Sequence, residues 1–168
     1  GLGDVYKRQD NKVTLQIENL YRGKTGFDYR TNIEYTVAAD GSILVNSTII
    51  PSTKGVIIPR IGYRMELPEG FERMRWYGRG PLENYVDRKD ATYVGVYDEL
   101  VSDQWVNYVR AQEMGNREDL RWISITNPDG IGFVFIAGDK MSASALHATA
   151  QDMVDPANHR RLLHKYEV

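Results

Sequence analysis

The chain has 168 residues, 42% hydrophobic and 26% charged, with 21 Lys and Arg against 23 Asp and Glu and no cysteine. This length suits one domain burying roughly 70% of its unfolded surface, and the composition excludes a disordered tail or a fibrous protein. A formal charge of −2 gives no cationic excess for a phosphate backbone, so nucleic acid is not expected as a partner; zero cysteines exclude a disulfide scaffold, a thiolate zinc site and a cysteine nucleophile.

Residues 1–9 are given no structural weight and are expected to be a non-native or disordered leader, with a single β-sandwich domain over 10–168. There is neither an initiating Met nor a basic-then-apolar signal segment at the start, so the chain reads as a fragment or a trimmed piece. Bacterial cytoplasm and periplasm suit it equally. From Asn11 onward the pattern is short period-2 segments between turn residues, which predicts an antiparallel all-β protein. Val13, Leu15 and Ile17 alternate with Thr14, Gln16 and Glu18. Ile33, Tyr35 and Val37 precede Asp40-Gly41, and Ile43 and Val45 follow, with Leu44 and Ile50 on the opposite face; Asp-Gly supplies the positive φ of a tight hairpin.

A further hairpin is predicted where Tyr63–Leu67 and Met74–Tyr77 flank Pro68-Glu69-Gly70, with proline where its fixed φ favours a turn. Another joins Arg121–Thr126 to Ile131–Ala137 across Asn127-Pro128-Asp129-Gly130, Pro128 fitting only outside a ladder. Ile131–Ala137 is also the longest apolar run, seven residues against the ~18 of a membrane span, so no membrane partner is expected. A small-residue strand is read at Ser142–Thr149. One short helix is predicted over Thr149–Asn158, with Thr149 as N-cap and Pro156 limiting its length.

Two polar loops interrupt the alternation and are where chemistry is sought. The first runs from Gly78 to Lys89. Its Gly78-Arg79-Gly80-Pro81-Leu82-Glu83 begins like a dinucleotide fingerprint, but the sixth position is Glu83 and no βαβ unit surrounds it. Arg79, Glu83, Asn84, Asp87 and Arg88 can order the loop by hydrogen bonding, or form a polar face for a sugar while Trp76 or Tyr77 stacks on its ring. The second loop, Gln112–Asp119, leads to a strand from Arg121; Glu113, Asn116, Arg117, Arg121 and Trp122 are its candidates, and Glu83 with Arg121 is a conceivable cross-loop pair. If these residues anchor the loops mutually, Asp87→Ala should lower stability more than affinity.

Glu83, Asp87, Glu113, Glu118 and Asp119 suffice in number for general acid and base work, but spacing alone pairs none of them across a glycosidic bond. His159 and His164 are five apart, unsuited to the usual zinc spacings, so no metal or other cofactor is expected on this chain. His147 is either a satisfied structural histidine or a general base.

Trp76-Tyr-Gly-Arg-Gly-Pro-Leu-Glu-Asn-Tyr-Val-Asp-Arg88 closely resembles the small-chain, C-terminal domain of glycoside hydrolase family 2 β-galactosidases. Pro59-Arg60-Ile61-Gly62 upstream and Tyr108 to Trp122 downstream continue the resemblance in the family's order, from about residue 15 to the end, with Gly26–Pro51 a looser match. Ala111 stands where proline is expected, and Met114 where a small polar residue is expected. The resemblance implies an antiparallel supersandwich, similar to galactose mutarotase, beside a catalytic barrel. It places the two glutamates of retaining chemistry on that barrel and the magnesium and sodium sites mainly on other domains. The family's last segment, whose tryptophan stacks on galactose, has no counterpart before Val168. The resulting expectation is a non-catalytic β-galactosidase domain with the barrel as partner and a galactoside as its ligand. A stand-alone mutarotase-like enzyme using His147, Glu113 and Glu83, or a carbohydrate-binding β-sandwich, is the alternative. Unpaired sheet edges left by the shortened end predict a homo-oligomer or strand exchange.

Overall fold

The structure is a computed structural model that describes residues 3–9 (backbone), 11–24, 26–58, 60–109, 112–150 and 152–153. It is all-β, with two four-stranded antiparallel sheets and, among the described residues, one turn of 3-10 helix at Ser102–Gln104. The chain divides into two compact units, Gly1–Tyr63 and Arg64–Val168.

The first unit holds β1 (Gly3–Gln9), β2 (Lys12–Arg22), β3 (Asp28–Ala38) and β4 (Ile43–Pro51), in that order across the sheet. In the opening segment, expected as a non-native or disordered leader, Gly3 to Gln9 pair along β2 from Glu18 to Lys12. A two-residue connection and the alternation of β2 supply a register that composition alone did not signal. The Asp40-Gly41 hairpin forms as predicted. Gly41 has φ of +86°, the Gly41 N–H donates to the Ala38 carbonyl at 3.1 Å and the Ala38 N–H to the Ser42 carbonyl at 2.9 Å. Register puts Val13, Leu15 and Ile17 beside Val37, Tyr35 and Ile33, and Val37 and Tyr35 beside Ile43 and Val45, so one face is apolar. On that face Tyr21 stacks on Tyr29 with ring centroids 4.7 Å apart, and the Ser47 hydroxyl meets that of Tyr63.

The second unit orders β5 (Arg73–Gly80), β6 (Tyr93–Leu100), β7 (Arg117–Thr126) and β8 (Gly132–Ala143) as β6-β5-β7-β8. Its core is Met74, Trp76, Val101, Leu120, Ile123 and Ile125, with Leu67, Phe71, Tyr97, Phe135 and Met141 packed against it. A smaller cluster joins Met114 and Met153 to Trp105, Val106, Tyr108 and Leu146. β5 is central, and its glycine at 78 is a packing requirement: a Cβ there would lie 2.6 Å from the Leu120 Cδ2 and 2.9 Å from the Leu120 Cα.

The turn Asn127–Gly130 joins β7 to β8 as predicted, with the Asn127 N–H donating to the Ile131 carbonyl. The hairpin predicted around Pro68-Glu69-Gly70 is not formed. Both edges of β5 are taken by β6 and β7, so Tyr63–Leu67 has the composition of a strand without a ladder to join. β7 starts at Arg117 rather than Arg121, and β8 ends at Ala143, so His147 lies beyond the strands and the reading of Ser142–Thr149 as a strand is corrected. Of the predicted helix, Thr149 and Asp152 form a capped turn, the Asp152 carboxylate accepting the Thr149 N–H at 2.9 Å; most of the rest lies outside the described residues.

Candidate functional site

β5 alternates faces, which separates its candidate residues before any loop is considered. Trp76 points inward and is fully buried, its Nε1 donating to the Arg79 carbonyl at 3.0 Å. Tyr97 lies against it at 5.3 Å and the Arg117 guanidinium covers its ring at 4.7 Å. It cannot be the sugar-stacking surface considered from sequence; its indole is the floor under the loops. Tyr77 points the other way, half exposed, with Arg121 over its ring at 5.3 Å and Trp122 as cross-strand neighbour.

The loop after β5, where the Gly80–Pro81 bond is cis, is tied to the segment before β7 by Asn84 and Glu83. Asn84 is fully buried. Its Nδ2 donates to the Leu82 carbonyl at 2.9 Å, and its Oδ1 accepts the Glu118 N–H at 2.9 Å. Its own N–H donates to the Asn116 carbonyl at 2.9 Å while the Asn116 Nδ2 donates to the Asn84 carbonyl at 2.8 Å. Glu83 uses both oxygens: Oε1 accepts Arg88 Nη2 at 2.7 Å and the Tyr108 hydroxyl, and Oε2 accepts the Gly115 N–H at 2.7 Å. Charge-assisted bonds of this kind are about twice as strong as neutral ones.

A second tie runs from Arg79. Its Nε bonds Asp119 Oδ2 at 2.5 Å and its Nη1 donates to the Lys89 and Thr92 carbonyls at 3.1 and 2.9 Å. Lys89 Nζ adds a contact to Asp119 Oδ1 at 3.4 Å. The Arg79 bond, aided by Lys89, holds the Asp119 carboxyl below its ordinary value of 3.8. Asp119 has φ of +54° at the point where the β7–β8 register shifts, a bulge that re-aims its side chain.

Beneath these loops Arg117 is buried. Its Nη2 bonds Gln104 Oε1 at 2.6 Å and Glu99 Oε2 at 3.1 Å, and Gln104 Nε2 donates to the same Glu99 oxygen at 2.8 Å. Burial lowers the Arg117 pKa, opposed by Glu99. Among the described residues the buried Tyr85 hydroxyl has no hydrogen-bond partner; burial, reinforced by Glu83, pushes its pKa up to about 12.

The remaining candidates fall elsewhere. Asp87 is exposed and has no partner among the described residues, so the anchoring expected of it is corrected: it projects from a turn held by its neighbours. Glu83 pairs with Arg88, not Arg121, whose Nη1 donates to the Asp119 carbonyl at 2.7 Å. Glu113 is exposed and adds negative charge near Tyr85. His147 Nε2 lies 2.6 Å from Glu72 Oε1, and the other Glu72 oxygen accepts the Ser102 N–H. Among the described residues no three His, Asp or Glu side chains converge with metal-binding geometry. Sequence reasoning missed Tyr108, Lys89 and Thr92, which the quoted blocks contain or adjoin, and Glu99 and Gln104, which carry no local signal.

Residues 4–168 match the family described as the β-galactosidase small chain. A β-galactosidase of Priestia megaterium is 39% identical over 102 residues, 61% of this chain and 10% of its own length. The β-galactosidase BgaC of Bifidobacterium adolescentis is 33% identical over 161 residues, 92% of this chain and 15% of its own length. A β-galactosidase of an Arthrobacter species is 36% identical over 142 residues, 77% of this chain and 14% of its own length. The chain thus spans 10–15% of the length of these relatives.

Proposed function

The chain belongs to the β-galactosidase small-chain family, and from that premise we propose that it is a non-catalytic module of an enzyme hydrolysing terminal β-D-galactosides. Its part is to hold the loop 78–92 rigid beside a catalytic barrel and so shape one wall of the substrate pocket. The observation that carries this reading is the internal commitment of Glu83 and Asp119, the two carboxylates that tie the loops together, while Asp87 is left exposed. A retaining glycosidase needs two carboxyl groups about 5–5.5 Å apart and free to face the sugar, whereas Glu83 and Asp119 spend both oxygens on loop donors and Glu99 is bonded to Arg117 and Gln104.

The same bonds present a fixed outer surface. Leu82, Val86 and Val109 are strongly exposed although the backbone around Glu83 and Asn84 is pinned, and apolar side chains on a rigid loop suit packing against another body. Asp87 and Arg88, also exposed, are the polar groups of that surface available to a galactoside.

Two measurements test the proposal. Purified protein, freed of host enzyme, is expected to release no nitrophenol from a nitrophenyl β-galactoside; turnover that tracks the chain through purification would overturn the non-catalytic assignment. An NMR titration with galactose, glucose serving as control, is expected to move the amides of Val86–Arg88 selectively. Equal response to both sugars would remove the pocket-wall role, and acceleration of galactose mutarotation would favour an enzyme of that type instead.

A further inference from the structure

β4 is the edge of its sheet, and its free side can be read from the hydrogen bonds at its two ends. The Ala38 N–H donates to the Ser42 carbonyl and the Ser52 N–H to the Asp28 carbonyl. Opposed residues of an antiparallel pair alternate between bonded and non-bonded, so Leu44, Asn46, Thr48 and Ile50 bond towards β3. Ile43, Val45, Ser47 and Ile49 therefore direct their N–H and C=O groups outward, where they meet no partner among the described residues.

Edge strands are commonly protected by charge, bulges or an internal proline. β6 carries Asp98 and Glu99, and β8 carries Asp139 and Lys140. β4, Ile-Leu-Val-Asn-Ser-Thr-Ile-Ile-Pro, has no charged residue, an unbroken register with β3, and proline only at its last position. Ile43, Leu44, Val45 and Ile50 are all exposed.

The strand also shows the same order of apolar and polar residues read in either direction from Ser47. Turned about that residue, Val45 faces Ile49, Leu44 faces Ile50, Asn46 faces Thr48 and Ile43 faces Pro51. Just beyond, Asp40 and Lys54 lie equally far from Ser47 on opposite sides, both exposed. We propose that two copies of this chain pair β4 antiparallel about a two-fold axis at Ser47, merging their sheets into one. This is a closed, isologous contact. Each copy's Asp40 meets the partner's Lys54, and the outward groups of Val45 and Ser47 bond those of the partner's Ile49 and Ser47. Parallel in-register stacking, the route to an open fibre, would instead set Asp40 over Asp40 and Lys54 over Lys54. Charge thus selects the two-fold arrangement.

The chain has no cysteine, so single cysteines report the register directly. At the axis the two Ser47 Cα atoms would be about 5.5 Å apart, within disulfide range, whereas positions 46 and 48 face each other and not themselves. Ser47→Cys is expected to give a disulfide-linked dimer on mild oxidation. Asn46→Cys and Thr48→Cys are each expected to remain uncrosslinked alone and to crosslink when mixed. By light scattering the unmodified chain is expected at twice 19.2 kDa, and Ser47→Pro, which removes an N–H that β3 does not use, at one chain's mass. Monomer mass at every concentration, equal crosslinking of the three single variants, or growth past the dimer into fibres would each overturn the proposal.

Discussion

β2 and β3 are eleven residues long and β4 nine, paired without a register break, yet their only buried side chain is that of Thr31. β5 and β6 are eight residues each, β7 is interrupted by register shifts against β8, and this second sheet holds Met74, Trp76, Leu120, Ile123 and Ile125 out of solvent. Regular alternation therefore marks a strand without marking a core. The core arises where glycine lets backbones approach, at Gly78 under Leu120, and where loops fold over the inner face and close it.

The sharpest way to break that contrast is a matched pair of truncations. Trp76→Ala is expected to cost about 3–5 kcal/mol, and Leu44→Ala, on a side chain 60% exposed, less than about 0.5 kcal/mol. All three tryptophans lie in the second unit, so fluorescence-detected denaturation by Trp105 and Trp122 follows the first substitution and far-UV dichroism the second. Equal costs would mean the first sheet buries as much as the second.

Asn84→Ala comes next, at about 1–3 kcal/mol, because it removes a buried amide that accepts the Glu118 N–H and donates to the Leu82 carbonyl. Hydrogen exchange should localise the loss to the loop after β5; a uniform loss across both sheets would contradict the idea that this residue locks loops rather than the whole fold. Asp119→Asn should cost about 1 kcal/mol, the Arg79 contact being partly solvated. Because the folded Asp119 pKa lies below 3.8, the stabilisation is full above that value and fades as pH falls through the folded pKa. A carboxyl NMR titration placing Asp119 at or above 3.8 would exclude it.

Tyr85→Phe should change stability by less than about 0.5 kcal/mol or raise it, since the hydroxyl it removes is buried with no partner among the described residues. In the parent chain the neutral phenol contributes fully below its ordinary 10.0 and the contribution is lost as pH rises towards about 12. Absorbance titration should show one late tyrosine missing from the variant. Smallest of all, Asp87→Ala should leave the melting temperature unchanged; a clear drop would reveal an anchoring role that its exposed position does not suggest.

The turn chemistry of Asp40-Gly41 and Asn127–Gly130 made two hairpins legible, because a turn is a local event with local residues. The Trp76–Arg88 and Tyr108–Trp122 blocks made the family legible, and with it the two loops. The third hairpin misled because strand-like composition at Tyr63–Leu67 says nothing about whether the edge of β5 is vacant. Asp87 misled for a related reason: a carboxylate among arginines is indistinguishable in sequence from one bonded to them, and only geometry separates Glu83, which accepts three donors, from Asp87, which accepts none from the described residues.

The order of residues by itself determined the class, the strands flanking the two hairpins, and the family, since each depends on period, turn residues or a contiguous motif. Tertiary structure alone decided that β5 sits between β6 and β7, that Trp76 is a floor under Arg117, and that Glu83, Asn84, Arg79 and Asp119 lock two loops. The β5–β6 pairing joins residues 13 to 27 positions apart and the loop ties join residues more than thirty apart, and pairing at such separations is fixed by which strands and loops compete successfully for the same backbone groups, a contest that no local pattern records.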